Sequence, residues 1–335
     1  MPRALRIATI FKNQGFTLAL LAAVVAAVLF PELGAKGGPL KTELTTKIAV
    51  ALTFVVQGLS LPTRHIARSA AKLRLHAFCQ IANFVVAPLL MLGFLAIFGS
   101  FLHPGIRIGF LYLSALPTTI SSAIVMTANS DGDSSAALFA TALSNILGIF
   151  VTPLLCALLI ESPSSGGPSL ANLIGKLSTL VLLPLVVGQC IRPFVRGWAI
   201  RSKKLFKRLS NSFIVFVVFA AFCSSVQNGI WVETGAAAVG LTFGFVLLFL
   251  LCFSGLVWMA SRLATGERPE RIAAFFCGSQ KTLASGVPMA PILFAHYQGQ
   301  DAMMLGLVIL PLMCYHPLQL ILAGILSPFL AKGKA

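Results

Sequence analysis

Thr118-Thr-Ile-Ser-Ser-Ala-Ile-Val-Met-Thr127 occurs twice in this chain, the second time altered to Lys281-Thr-Leu-Ala-Ser-Gly-Val-Pro-Met-Ala290. Thr119, Ser122 and Met126 coincide with Thr282, Ser285 and Met289, and Ile120/Leu283, Ala123/Gly286 and Ile124/Val287 are close matches. Each copy is an island of hydroxyl groups beside Pro or Gly within long apolar sequence. The copies lie about half the chain apart, so they hold corresponding places in two halves. Interrupted hydrophobic segments in matching positions of two halves point to the binding site of a transporter. The competing reading is chance likeness between two apolar helices, because small residues recur in membrane helices generally. The surrounding sequence decides between them.

Of the 335 residues, 57% are hydrophobic and 10% charged, and the mean hydropathy is +0.92. Soluble domains carry about 25% charged residues. Apolar runs near the length that spans a bilayer follow one another along the chain. They cover roughly 16–30, 45–61, 75–98, 106–127, 135–160, 172–194, 210–227, 236–260, 271–297 and 302–326. In hydrocarbon the backbone must satisfy its own hydrogen bonds, so ten helices are expected and no strands. The first run follows Arg3, Arg6 and Lys12 as a signal peptide would. With nine further runs behind it, it reads as a first transmembrane helix. The expected class is an all-α polytopic membrane protein.

The net charge of +16 suggests nucleic acid, but its distribution does not. With both termini in the cytoplasm, 19 of the 25 Lys and Arg fall in cytoplasmic segments. They cluster before the first run, at Arg64–Arg74, at Arg192–Arg208, at Arg262–Arg271 and at Lys332 and Lys334. Only Lys36, Lys41 and Arg107 fall outside, and Lys47, Lys176 and Lys281 lie within runs. This is the positive-inside rule, and it requires an even number of spans. The run Arg201–Arg208 reads as a topology signal in the first place, with contact to anionic lipid headgroups as the second reading. The seven cysteines all sit in apolar runs without CxxC spacing and read as packing residues, not as a zinc site or disulfide frame.

A turn-rich breaker, Glu161-Ser-Pro-Ser-Ser-Gly-Gly-Pro168, divides the chain. Five runs precede it and five follow. An odd number per half makes the second half enter the membrane from the opposite side. Residues 1–160 and 169–335 are therefore expected to be inverted repeats. The fourth and ninth spans carry the hydroxyl-rich copies and are expected to be broken at about 117–122 and 278–288, bracketed by Pro117, Gly278, Gly286 and Pro288.

Gln280-Lys281-Thr282 is the sharpest polar cluster. A charged side chain at the bilayer centre costs about 2.5–3.5 kcal/mol on insertion scales. Lys281 lies about ten residues from either end of its run, roughly 15 Å at helical rise, too far to snorkel easily. Thr141, Ser144 and Asn145 share one face of the fifth span, and Gln80 with Asn83 share one of the third. Each of these amides is as readily a bond between helices as a ligand. Asn129-Ser-Asp-Gly-Asp133 opens like a calcium loop but has Ser134 and Ala140 where Gly and Glu are needed. Asp133 is expected to cap the fifth span instead. His316-Pro317 is expected to kink the tenth, and His65, His76, His103 and His296 fall at span ends without metal spacing. There is no HExxH, no Walker A motif and no paired intramembrane carboxylate, so neither catalysis nor ATP drive is expected.

These residues resemble the bile acid:sodium symporter family, in the branch typified by member 7 of solute carrier family 10 and its bacterial relatives. The matching stretches are Gly37-Gly-Pro-Leu-Lys41, Gln57-Gly-Leu-Ser-Leu61, Arg74-Leu-His76 with Gln80, Leu116-Pro117 with Ser121-Ser122-Ala123, Leu147-Gly148-Ile149 with Thr152-Pro153, Phe276-Cys-Gly-Ser-Gln-Lys281 through Gly286-Val-Pro288, and His316-Pro317. The resemblance implies a panel domain from spans 1, 2, 6 and 7, a core domain from spans 3–5 and 8–10, crossing discontinuous helices 4 and 9, and sodium-coupled uptake of organic anions by alternating access. Carried over by position, it puts Ser122 and Thr141 at one sodium site, and Gln280 with Asn83 or Gln80 at the other. The chain departs from the pattern at Phe276, where sodium-coupled members bear an acid, and at Lys281 and Ala123, where they bear Asn.

The expected function is secondary transport of a small organic anion by alternating access, proton-coupled or sodium-independent, with Lys281 taking over part of sodium's charge role. The candidate substrate and ion contacts are Thr119, Ser121, Ser122, Gln80, Asn83, Thr141, Ser144, Asn145, Gln280, Lys281, Thr282 and Ser285. If sodium is bound, Ser122, Thr141 and Gln280 hold it; no other cofactor is expected. The alternatives are an ordinary sodium-coupled symporter and a membrane regulator that transports nothing. The expected partners are membrane lipid and the anion, without nucleic acid or ATP. The expected setting is a bacterial inner membrane, with both termini cytoplasmic.

Overall fold

The computed structural model describes residues 15–34, 37–60, 71–160, 175, 178–294 and 305–331. The 161–168 breaker, the terminal basic residues, Arg64, Arg68, Lys36, Lys176, His65 and His296 lie outside them. All secondary structure among the described residues is helical. In chain order the principal helices are α1 (Gly15–Leu29), α2 (Thr42–Ser60) and α3 (Leu73–Ile81, continued through a π turn at Ala82–Val86 into Ala87–Phe98). There follow α4 (Pro104–Ala115), α5 (Ser121–Asn129), α6 (Ser134–Leu159), α7 (Leu183–Ile191), α8 (Arg196–Arg201) and α9 (Lys203–Gln227). The last four are α10 (Ile230–Ala260, kinked at Gly235), α11 (Arg268–Ser279), α12 (Leu283–Leu293) and α13 (Leu305–Ala331).

Among the described residues five stretches are long and apolar enough to cross a membrane: Leu73–Phe101, Ser134–Leu159, Lys204–Gln227, Thr234–Leu263 and Leu305–Ala331. Gly15–Leu29 and Thr179–Ile191 are shorter apolar helices. The chain is thus a multi-pass, all-α membrane protein. Its residues group into two compact units.

One unit takes in Met1–Ser60, Leu180–Glu233 and Val287–Gly306. Here α7 and α9 both pack on α2, and α9 also packs on α1. Helices α2 and α7 meet backbone to backbone at Gly58 and Gly188. A Cβ on Gly58 would lie 2.3 Å from the Leu185 carbonyl oxygen, and one on Gly188 equally close to that of Val55. Gln189 fixes this crossing by donating its Nε2 to the Gly58 carbonyl at 2.5 Å.

The other unit takes in Leu61–Thr179, Thr234–Gly286 and Leu307–Ala335, and it holds every candidate site residue. Helix α11 packs on α3, α5 and α6, and α6 also packs on α3, α4 and α5. Three helices of this unit begin at one ionic cluster. Lys72, the N-cap of α3, reaches Asp133 at 2.6 Å and Glu270 at 2.5 Å. Asp133 caps α6 as expected, its Oδ1 accepting from the Ser135 and Ala136 amides at 2.9 Å. Glu270 lies in the first turn of α11. The bonds to Asp133 and Glu270 raise the Lys72 pKa. Burial pushes the Asp133 carboxyl up, but the Lys72 bond and the two amides outweigh it and hold it below its ordinary value. Glu270 is held below its ordinary value by Lys72 and Thr265.

Candidate functional site

Two helical stretches are interrupted at residues of the second unit. The chain leaves helix after Ala115 and resumes at Ser121, and again after Ser279 and resumes at Leu283. The first interruption follows from Pro117, which drives the residue before it out of the helical region. Leu116 is extended (φ −76°, ψ 149°). The second is narrower than the expected 278–288, and only Gln280–Thr282 leave the helix. Gly278, Gly286 and Pro288 are helical. Gly286 serves close packing, since a Cβ there would lie 2.6 Å from Leu116 Cδ1 and 2.7 Å from Leu312 Cδ2.

Breaking a helix strands backbone groups, and buried ones must be paired. At the first interruption each carbonyl from Ser114 to Thr118 has a partner. Ser114 and Leu116 accept from Lys281 Nζ at 2.8 Å each, and Ala115 accepts from the Thr152 hydroxyl at 2.8 Å. Pro117 accepts from the Thr282 amide at 2.9 Å, and Thr118 from Asn145 Nδ2 at 2.8 Å. The Thr118 amide donates to Ser144 Oγ at 3.3 Å. At the second interruption Gln319 clamps Lys281 from both sides. Its Oε1 accepts from the Lys281 amide and its Nε2 donates to the Lys281 carbonyl, each at 2.8 Å. Tyr315 donates to the Ser279 carbonyl at 2.9 Å, and Tyr112 to that of Gly286 at 2.6 Å.

The two clamps fall on aligned positions of the duplicated stretch. Thr118, bound by Ser144 and Asn145 of α6, corresponds to Lys281, bound by Gln319 of α13. The Pro117–Thr282 bond joins the two interruptions directly.

The candidate residues separate into three groups. Ser122 donates to Gln280 Oε1 at 2.8 Å and lies 3.2 Å from Thr119 Oγ1, while Ser121 is exposed. Ser285 donates to Asn145 Oδ1 at 3.1 Å, tying the second copy to the residue that clamps the first. Gln80 and Asn83 are bonded to backbone: Gln80 Nε2 to Ala140, and Asn83 Nδ2 to Cys79 and Cys277. Lys281 is fully buried, and its Nζ also donates to the Asn83 carbonyl at 2.8 Å.

Of the residues named for sodium, Ser122 and Gln280 are bonded to each other. The Thr141 hydroxyl donates within its own helix, to Ala137 at 2.8 Å and Leu138 at 3.1 Å. None of the three supplies a carboxylate, and Phe276 is buried where an acid would add one. Among the described residues no cluster of His, Cys, Asp or Glu is arranged to hold a metal ion. Near these groups the buried Gln80 Oε1, Asn83 Oδ1, Thr118 Oγ1 and Gln280 Nε2 have no hydrogen-bond partner among the described residues.

Sequence reasoning missed Gln319, Tyr112, Tyr315, Ser114 and Thr152. Gln319 carried a usable signal as a lone amide in the tenth apolar run, one turn after His316, whose Nδ1 it meets at 3.1 Å. The tyrosines carried none, because their rings are buried like any apolar residue.

The SBF-like CPA transporter family model matches residues 14–332. The chain is 37% identical over 316 residues to the YfeH protein of Escherichia coli strain K12, covering 93% of this chain and 91% of that one. It is 32% identical over 323 residues to sodium/bile acid cotransporter 7 of Xenopus tropicalis, covering 95% and 91%. The rat protein of the same name is 32% identical over 321 residues, covering 95% and 92%. Since the family match and these identities run through nearly the whole membrane-embedded chain, it belongs to the SBF-like CPA transporters of the bile acid:sodium symporter family.

Proposed function

We propose that this transporter moves a small organic anion by alternating access and does not require sodium. In this reading it has ten spans in two inverted five-helix repeats, residues 1–160 and 169–335. Spans 1, 2, 6 and 7 form a panel domain, and spans 3–5 and 8–10 form a core domain with discontinuous helices 4 and 9. It lies in a bacterial inner membrane with both termini cytoplasmic. The separate grouping of α1, α2, α7 and α9 supports this division. So do the equivalent clamps at Thr118 and Lys281. The N-terminal ends of α5 and α12 supply positive dipole ends that favour an anion.

The observation that carries the coupling reading is the buried Lys281 side chain, whose Nζ stands among three neutral carbonyls and, as an ammonium, brings a full positive charge to the interruptions. A chain that supplies this charge itself has less use for a bound ion. Ordinary sodium coupling is the second reading. It is favoured by relatives whose name is sodium/bile acid cotransporter 7.

A thermal-shift screen against anions, with and without sodium, identifies ligands, because one that binds only the folded state raises apparent stability. Uptake of a hit into proteoliposomes is then measured across a sodium series at fixed pH. The proposal expects accumulation that is flat in sodium. A steep sodium dependence overturns it in favour of the second reading. Ligand binding without any transport makes the protein a regulator.

A further inference from the structure

We infer that Lys281 is a built-in cation, its ammonium filling a monovalent-cation cage formed by the backbone carbonyls of Asn83, Ser114 and Leu116 and holding the two helix interruptions together. The inference rests on the sodium-independent reading and names the group that makes it work.

The three carbonyl oxygens each lie 2.8 Å from Nζ, and the side chain is wholly buried. Each comes from a disturbed stretch of backbone. Asn83 lies in the π turn of α3, and Ser114 and Leu116 lie at the C-terminal end of α4, where the helix has lost its next turn. Carbonyls at a helix end are unpaired and carry the negative end of the dipole. Three acceptors around one nitrogen require three N–H donors. An ammonium has three, whereas a neutral amine has two. The Phe253 ring, 5.7 Å from Nζ, adds a favourable face on another side.

Among the described residues no carboxylate bonds the Lys281 Nζ, and Asp133 and Glu270 of this unit pair with Lys72. The backbone of Lys281 is itself held at both its amide and its carbonyl by Gln319. All three donors of the ammonium are engaged, so Lys281 acts as a positioning residue and does not grip the anion directly.

The test compares Lys281→Met, close in volume but neutral, with Lys281→Ala, which opens the space of the butyl stem. Melting is followed in purified protein in choline chloride, sodium chloride and n-propylammonium chloride, with n-propanol as the neutral control. Wild type is expected to melt alike in all four media. Lys281→Met is expected to melt lower by roughly 5–15 °C, or to fail to fold, because the carbonyls lose their donors. Lys281→Ala is expected to recover several degrees in n-propylammonium, in a concentration-dependent way, and none in n-propanol. A Lys281→Met protein as stable as wild type overturns the inference, since packing alone would then suffice. A folded Lys281→Ala protein indifferent to n-propylammonium overturns it as well. If Lys281→Ala cannot be recovered in any medium, Lys281→Met decides. Sodium-dependent uptake by wild type would refute the coupling proposal, whereas the variant differences measured in choline and n-propylammonium chloride would stand, so the two fail separately.

Discussion

Asn145 and Gln319 perform one task at two aligned places: each amide closes a backbone carbonyl that a broken helix leaves open. Replacing either with Leu strands buried acceptors, each worth about 1–3 kcal/mol. Asn145→Leu and Gln319→Leu are therefore expected to lower the melting temperature by roughly 2–6 °C. Gln319→Leu is expected to be the more damaging, because it strands both backbone groups of Lys281. Ser122 and Thr141, both named as ion-site candidates, should part company. The Ser122 hydroxyl joins Gln280 across the interruptions, whereas that of Thr141 bonds only its own helix. Ser122→Ala is expected to reduce uptake several-fold with a stability loss of about 1 kcal/mol or less. Thr141→Val is expected to leave uptake within about two-fold of wild type, a neutral hydrogen bond of about 1 kcal/mol being all that is lost. Uptake measured beside melting curves separates the two.

At the scale of elements, α6 is the scaffold against which the first interruption is set. Gly148 permits this, because a Cβ there would lie 2.7 Å from Pro117 Cγ. Gly148→Val forces the helix away from the break, and overpacking of this kind costs about 1–3 kcal/mol. It is expected to lower both yield and melting temperature. The starts of α3, α6 and α11 are joined by Lys72 with Asp133 and Glu270. The two carboxyls are held below their ordinary values. Their contribution is present above about pH 4, the ordinary value for an unfolded chain, and is lost as pH falls through their lower folded values. Lys72 is held above its ordinary value, so its contribution is present below about pH 10.4 and is lost only as pH rises through its higher folded value. Because the cluster is partly exposed, solvent screens it, and Lys72→Met is expected to cost only about 1 kcal/mol. That difference should be flat between about pH 5 and 9 and should shrink in acid. Melting curves across pH check the shape, and a difference that grows below pH 4 would contradict it.

At the scale of the whole molecule, the charge pattern is the basis for proposing that both termini are cytoplasmic. A C-terminal fluorescent fusion is expected to be bright and an alkaline phosphatase fusion inactive; the opposite pair of results would remove the basis for inverted repeats. The all-α membrane class, the two interruptions and the capping role of Asp133 were legible in the sequence. Composition, period and proline act locally, within one element, and a residue's own chemistry reports them. The width of the second interruption was not legible. Gly286 and Pro288 look like breakers in isolation, yet the packing of Leu116 and Leu312 keeps Gly286 helical. The π turn at Ala82–Val86 and the partners of Lys281 were equally hidden. Sequence alone determined that a charge would be buried near a broken helix, since Lys281 stands far from either end of an apolar run. Only the tertiary structure decided that it is answered by the carbonyls of Asn83, Ser114 and Leu116. The reason is that a backbone carbonyl is the same group at every position. Which carbonyls become free depends on where helices break, and which of those converge depends on how the helices pack.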